Sequence, residues 1–235
     1  MNPGNKEINF AETLFLLALD VKRGIVKPEM ERGLDCALAG ALLMELALLN
    51  RVDTDLTCIR HDPKSESRDP LLLRVVDKSP TGDCLLDEAL KELQYKSDPR
   101  PTRDWLAHFR GEGKIIRGKV AAWLAGSKVL EIREERKFIF FKARRYFLSD
   151  SSGIDAIKSR LKELVLDDEI PDPREVALVG IADSCGLFDE LFSPGDLARV
   201  RPRINAVRKL DLIGQAMTGI IREIEHSIST EMHPA

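Results

Sequence analysis

The sequence predicts a mainly α-helical protein, folded as a single globular domain around a central apolar helix and carrying two β-hairpins. The segment from Leu34 to Leu49 is apolar apart from Asp35 and Glu45. Several other segments repeat apolar residues at the three-four spacing of helices that pack on a core. No repeat or long linker divides the 235 residues, so we predict one domain.

The composition fits a soluble globular protein that is rich in helix, with 43% hydrophobic and 32% charged residues. A net charge of −3 excludes a protein that is basic overall, but it leaves room for local basic patches. Cys36 and Cys84 lie in apolar helical segments, where cysteine behaves as a small buried hydrophobe. No C-x-x-C motif and no apolar N-terminal signal is present, which favours a reducing, intracellular location.

The central helix follows a predicted helix at residues 10–19 and a turn at residues 20–24. A helix that is apolar on nearly all sides is buried in a protein or in a membrane. The segment is shorter than the roughly 20 apolar residues of a membrane span, and it contains Glu45. We therefore expect a core helix that begins near residue 29, after Pro28, and ends at Asn50.

The first predicted hairpin pairs residues 51–59 with residues 71–77. The first of these segments alternates with the period of two that is typical of a strand, so that Val52 and Asp53 lie on opposite faces. The second predicted hairpin spans residues 130–143 and has a charged tip at residues 133–137.

The remaining segments are predicted to be helical. A start signal at Ser79–Pro80 precedes a helix over CLLDEALKEL, with Asp83 and Asp87 near its positive end. The C-terminal helix is expected to run from residue 193 to residue 230, with an interruption at Pro202. The other predicted helices are residues 102–109, 114–126, 152–166 and 173–185.

The sequence contains no motif that indicates catalysis. The four histidines lack metal-ligand spacing such as H-E-x-x-H, and neither G-x-S-x-G nor a P-loop is present. Asp83, Asp87 and Glu88 are interpreted as solvated acids at a helix start. We therefore expect a protein that is not an enzyme and that has no metal site and no cofactor.

One region is distinctly basic. Between Arg133 and Arg145 the chain has six basic and two acidic residues, and these surround the aromatic segment Phe138–Phe141. Lys114 and Arg117 stand three residues apart and share one face of a helix. Basic residues around exposed aromatics suit a membrane surface or a phosphate-bearing partner. The alternative is a strand whose aromatics fill the core and whose charges are merely solvated.

Three stretches of the chain carry a resemblance to a known family. LAGALLMELALLNRV (38–52), DKSPTGDCLLDEALKEL (77–93) and VLEIREERKFIFF (129–141) resemble the core helix, the most specific motif and the hairpin of the Golgi phosphoprotein 3 family. Its members are cytosolic proteins that bind phosphatidylinositol 4-phosphate. The resemblance implies a helical domain of this type at residues 6–230, after a short N-terminal tail at residues 1–5, with a non-enzymatic, lipid-binding role.

The resemblance also implies site residues. The family holds the lipid phosphates with a Trp and an Arg from the central helix region and with two basic residues one turn apart on a later helix. Lys114 and Arg117 match the latter pair, whereas Met30 and Ala39 stand at the Trp and Arg positions, and Arg32 could supply a replacement charge. In the family the hairpin serves membrane contact and oligomerisation, which assigns that role to Arg136, Lys137, Phe138, Phe140 and Phe141.

These observations predict a cytoplasmic, peripheral membrane protein on the cytosolic face, which binds phosphatidylinositol 4-phosphate or a related phosphoinositide without catalysis. Oligomers would form through the hairpin at residues 130–143. Met30 and Ala39 leave the identity of the lipid open. One alternative is a nucleic-acid-binding module, because helix 114–126 and the basic hairpin resemble a winged helix in outline. The pI of about 5.9 counts against this alternative, and no nucleic-acid partner is expected. The other alternative is a protein-interaction scaffold.

Overall fold

The computed structural model describes residues 8–28, 30–31, 33–55, 72–95, 100–138, 141–167, 169–184 and 186–210. Across these ranges the predicted fold class is confirmed: the chain is mainly helical, with short antiparallel strands. No helix in these ranges combines the length and the apolarity needed to cross a bilayer. The elements in chain order are α1 (Phe10–Leu17), β1 (Leu19–Asp20), β2 (Ile25–Val26), α2 (Leu34–Leu48), β3 (Val52–Asp55), β4 (Leu72–Val75), α3 (Cys84–Tyr95), β5 (Arg100–Pro101), α4 (Thr102–Gly111), α5 (Gly113–Gly126), β6 (Leu130–Phe138), β7 (Phe141–Leu148), α6 (Ser152–Leu166), α7 (Pro173–Ser184), α8 (Leu187–Leu191) and α9 (Pro194–Arg208).

Helix α2 is the centre of the core, as the sequence predicts. All residues from Cys36 to Leu46 are buried, and α1, α4, α5 and α7 pack around the helix. Its predicted start near residue 29 is wrong, because the helix begins at Leu34. The preceding backbone forms turns instead, in which the Met30 N–H donates to the Lys27 carbonyl (3.0 Å). The side chain of Met30 is buried there, so this segment turns into the core before the helix starts.

The carboxylate of Glu45 connects α2 with two other helices. Glu45 is only 4% exposed, and its Oε2 accepts a hydrogen bond from the backbone N–H of Phe10 (2.8 Å), the first residue of α1. Arg174 of α7 donates to the same carboxylate, with Nη1 at 2.6 Å from Oε1. The guanidinium of Arg174 also lies over the Phe10 ring and donates to the Ile8 carbonyl. One buried acid therefore fixes the start of α1 and the start of α7 against the central helix.

The PTGD-x-LLD string forms the N-terminal cap of α3. Asp83 accepts from the N–H groups of Leu85 (2.9 Å) and Leu86 (3.1 Å), as an N-cap aspartate does. Asp87 accepts from the N–H and the hydroxyl of Thr81, and Gly82 between them has a φ of +83°, which favours glycine. The interpretation of these acids as a helix start is confirmed, but Asp83 is not solvated: it is buried, and its Oδ2 accepts from Asn9 Nδ2 (3.0 Å).

The start of α3 agrees with the prediction, but the burial of Cys84 does not. The helix starts at Cys84, as predicted, and Asp83 rather than Ser79 provides its cap. Cys84 is exposed, not buried, whereas Cys36 is buried. The first residue of α3 lies off its apolar face, which consists of Leu86, Ala89, Leu90 and Leu93.

The described strands form three small antiparallel sheets. Strands β3 and β4 confirm the first predicted hairpin, with β5 as a third strand, while β1 and β2 form a further hairpin around the predicted turn. Strands β6 and β7 extend the second predicted hairpin to Leu148. Residues 133–137 lie within β6, so their prediction as a tip is wrong: cross-strand pairing continues to Phe138, opposite Phe141.

Helices α6 and α7 match their predicted ranges closely. The predicted interruption at Pro202 is wrong, because Pro202 lies inside the continuous helix α9. Both Pro202 and Ala198, whose carbonyl loses its helical donor, are exposed, so water can replace the missing hydrogen bond. The predicted helix beyond residue 210 lies outside the described residues.

We expect Glu45→Ala to lower the free energy of unfolding by about 3 kcal/mol, because it removes one partner of a buried ion pair and the acceptor of the Phe10 N–H. Urea denaturation followed by circular dichroism would measure this. Glu131→Ala is the control, since Glu131 forms an exposed pair with Arg133 and its loss should leave the midpoint unchanged. Equal midpoints for the Glu45 variant and the wild type would contradict the assigned role.

We expect Asp83→Ala to lower the free energy of unfolding by about 1–2 kcal/mol, the usual effect of losing an N-cap. The same denaturation measurement applies. Asp83→Asn keeps an acceptor oxygen and should recover most of the stability. If the asparagine variant were as unstable as the alanine variant, the second carboxylate oxygen, which accepts from Asn9 Nδ2 (3.0 Å), rather than the cap would be responsible.

Candidate functional site

The two basic residues predicted to bind phosphate lie on the first turns of α5, but their environments differ. Lys114 is exposed, and no residue in the described part of the chain pairs with it. The side chain of Arg117 is only 14% exposed. Lys114 can therefore meet a ligand directly, whereas Arg117 is already held by the protein.

Two acids bind the guanidinium of Arg117. Its Nε lies 2.5 Å from Oδ1 of Asp35, and its Nη1 lies 2.5 Å from Oε1 of Glu31. Nη2 donates to the backbone carbonyl of Glu31 at 2.8 Å. Charge-assisted hydrogen bonds of this kind are the strong ones in proteins, so Arg117 joins α5 to the start of α2.

The close approach of these helix starts depends on Gly113. A Cβ at this position would overlap with the side chain of Asp35, so a larger residue would push α5 away from α2. Gly113 is buried, and it directly precedes Lys114. The position of Lys114 at this edge of the molecule is thus set by a helix contact that only glycine permits.

Strand β7 provides the other side of the candidate site. The N–H of Tyr146 donates to the carbonyl of Gly24 (2.8 Å), and its ring meets Phe15 edge-on at 5.3 Å between centroids. Burial raises the pKa of Tyr146, while the nearby positive charges of Arg144 and Arg117 oppose that change. Arg144 is exposed, so it extends the positive surface from α5 onto the hairpin.

Part of the hairpin's positive charge is neutralised within the molecule. Arg133 forms two hydrogen bonds with Glu131, and its guanidinium lies 4.6 Å from the centroid of the Phe147 ring. These bonds also lower the pKa of Glu131. Arg145 pairs with Glu135 at 2.9 Å. Two of the six basic residues counted in the sequence are therefore bound to acids of the same hairpin.

The other predicted site residues stand as follows. Met30 and Ala39 are buried in the core, so neither adds a polar group to this surface. Arg32 and Phe140 lie outside the described residues. The structure gives only the strand positions of Arg136, Lys137, Phe138 and Phe141, and their roles in membrane contact or oligomerisation stay predictions.

Sequence reasoning missed Glu31 and Asp35 as partners of Arg117. The signal for Asp35 was present, because it is one of only two charged residues in an otherwise apolar helix. A charge at the edge of a core needs a partner, and Arg117 is that partner. Glu31 lies in a turn before α2 and had no comparable signal.

Comparisons with known proteins identify the family. The family model described as Golgi phosphoprotein 3 (GPP34) matches residues 10–224. A similar protein is vacuolar protein sorting-associated protein 74 of Eremothecium gossypii. The two are 27% identical over an alignment 259 residues long, which covers 99% of this chain and 76% of the relative. The match extends over most of the helical domain and contains both Lys114 and Arg117. The chain therefore belongs to the Golgi phosphoprotein 3 family.

Proposed function

We propose that this protein is a non-catalytic peripheral membrane protein that binds anionic phospholipid head groups from the cytosolic face, with phosphatidylinositol 4-phosphate or a related phosphoinositide as the ligand. Membership of the Golgi phosphoprotein 3 family supports this function. The observation that carries it is the exposed Lys114, which has no partner in the described part of the chain and stands one turn before the half-buried Arg117, with the exposed Arg144 close to the same helix at Gly118. A lysine ammonium and arginine guanidinium groups are common partners of phosphate in proteins.

The ion pairs of Arg117 define how a phosphate would bind. Asp35 is 25% exposed and holds Nε, whereas Glu31 is 54% exposed and holds Nη1. An incoming phosphate would displace the more exposed Glu31 and leave Asp35 in place. Arg117 would then offer Nη1 to the phosphate while it continues to join α5 to α2. Glu31 acts in this proposal as an internal competitor of the lipid.

We expect Lys114→Ala to weaken binding to liposomes that contain phosphatidylinositol 4-phosphate by about fivefold, because each basic residue near an anionic leaflet contributes about 1 kcal/mol. Flotation with neutral phosphatidylcholine liposomes as reference would measure this. Lys162→Ala, which removes an exposed charge from α6, is the control and should bind like the wild type. Failure of the wild type to float with anionic liposomes at low salt would refute the proposed function.

We expect Glu31→Gln to strengthen the same binding by about fivefold, since it removes one negative charge and releases Nη1 of Arg117. The matched control is Glu163→Gln, because the side chain of Glu163 is also 54% exposed and pairs with an arginine, Arg160. Unchanged or weaker binding of the Glu31 variant would show that Glu31 and the lipid do not compete for Arg117.

A further inference from the structure

A second cluster of ionisable side chains lies where α3, α4 and α5 meet. Glu92 is in the last turns of α3, His108 is in α4, and Glu112 stands between α4 and α5. One ligand atom from each side chain lies within 4.8 Å of the others, and all three residues are half-buried. His108 Nε2 and Glu92 Oε2 are 2.7 Å apart. None of these residues takes part in the proposed lipid binding.

The chemistry of the three groups suits a divalent transition-metal ion. Imidazole nitrogen together with carboxylate oxygen is a donor set that zinc accepts, with bonds of about 2.0–2.2 Å. Hard cations such as Mg²⁺ and Ca²⁺ prefer oxygen ligands alone, so the imidazole favours zinc and similar ions. Donor atoms within 4.8 Å of one another can all reach one such ion after small side-chain rotations.

The backbone and the neighbouring rings position two of the ligands. The His108 ring packs against Phe109, with 5.3 Å between centroids, and meets Trp105 edge-on at 5.9 Å. Trp105 and Phe109 are buried, so they restrict the orientation of the imidazole. The Glu112 carbonyl accepts from the N–H groups of Ile115 and Ile116, which fixes the backbone of this ligand at the start of α5.

We propose that Glu92, His108 and Glu112 form a binding site for one divalent transition-metal ion of the zinc class. Three protein ligands leave the remaining positions to water, because the side chains of His108 and Glu92 are 32% and 39% exposed. The ion would connect the end of α3 to α4 and to the start of α5. Its expected effect is to stabilise this corner of the domain.

Metal binding requires the His108–Glu92 hydrogen bond to open. Two ligands of a tetrahedral zinc ion stand roughly 3.3 Å apart, given bonds near 2.0–2.1 Å, which is wider than the 2.7 Å between these atoms. Nε2 must also give up its proton, since only the neutral imidazole nitrogen coordinates a metal. A neutral ring that carries its hydrogen on Nε2 would move it to Nδ1 without net release, whereas an imidazolium would lose one proton.

The test is isothermal titration of the full chain with Zn²⁺ after removal of metals with a chelator. The wild type should bind one equivalent of Zn²⁺. Glu112→Gln and His108→Ala should each lower the affinity for Zn²⁺ by about tenfold or more. Glu112→Gln keeps the size of the side chain, which separates ligand loss from misfolding. Glu88→Gln is the matched control, because Glu88 is an exposed carboxylate one turn before Glu92 and pairs with Lys119.

A thermal melt provides the second measurement. Zn²⁺ should raise the melting temperature of the wild type and of the Glu88 variant, but not that of the Glu112 variant. Two results would overturn the proposal: no zinc equivalent in the wild type, or an equivalent that persists unchanged in the Glu112 and His108 variants. The latter would assign the bound zinc to other side chains of the protein.

Discussion

The buried carboxylate of Glu45 is the interaction on which the arrangement of the helices depends. Apart from Asp35 and Glu45, helix α2 is apolar on all sides, and apolar packing alone has little directional preference. Glu45 adds direction, because its two oxygens accept from the Phe10 N–H and from Arg174. A buried charge without these partners would be strongly destabilising. The rotation of α2 about its own axis is thus coupled to the positions of α1 and α7.

Ion pairs between an acid of one helix and an arginine of another also occur at two other helix contacts. Asp183 of α7 is buried and receives both Arg201 and Arg208 of α9. Asp35 at the start of α2 receives Arg117 of α5. In each case an acid in an apolar helix pairs with an arginine on another helix. The pairs specify which helices lie together, while the apolar residues between them provide the bulk of the stabilisation.

The sequence predicted the helices well where local signals agree, and less well where tertiary contacts decide. The apolar pattern of residues 34–49 and the ranges of α6 and α7 follow from periodicity and caps alone. Burial of the Met30 side chain is a tertiary feature, so the sequence pattern predicts a start of α2 that is too early. The predicted interruption at Pro202 is wrong because the destabilising effect of a proline inside a helix depends on exposure, which periodicity does not report. Lys114 and Arg117 were found through family resemblance, but the partners of Arg117 required the fold.

The charges of the candidate site limit how the proposed lipid binding can work. Lys114 and Arg117 are balanced in number by Glu31 and Asp35, and between Glu131 and Arg145 six basic residues face three acids. At about 1 kcal/mol for each net positive charge, three charges give about 3 kcal/mol, which is weaker than millimolar affinity. Electrostatic attraction alone therefore cannot hold one molecule on a membrane. Head-group contacts made by Lys114, together with several copies acting at once, would have to supply the rest.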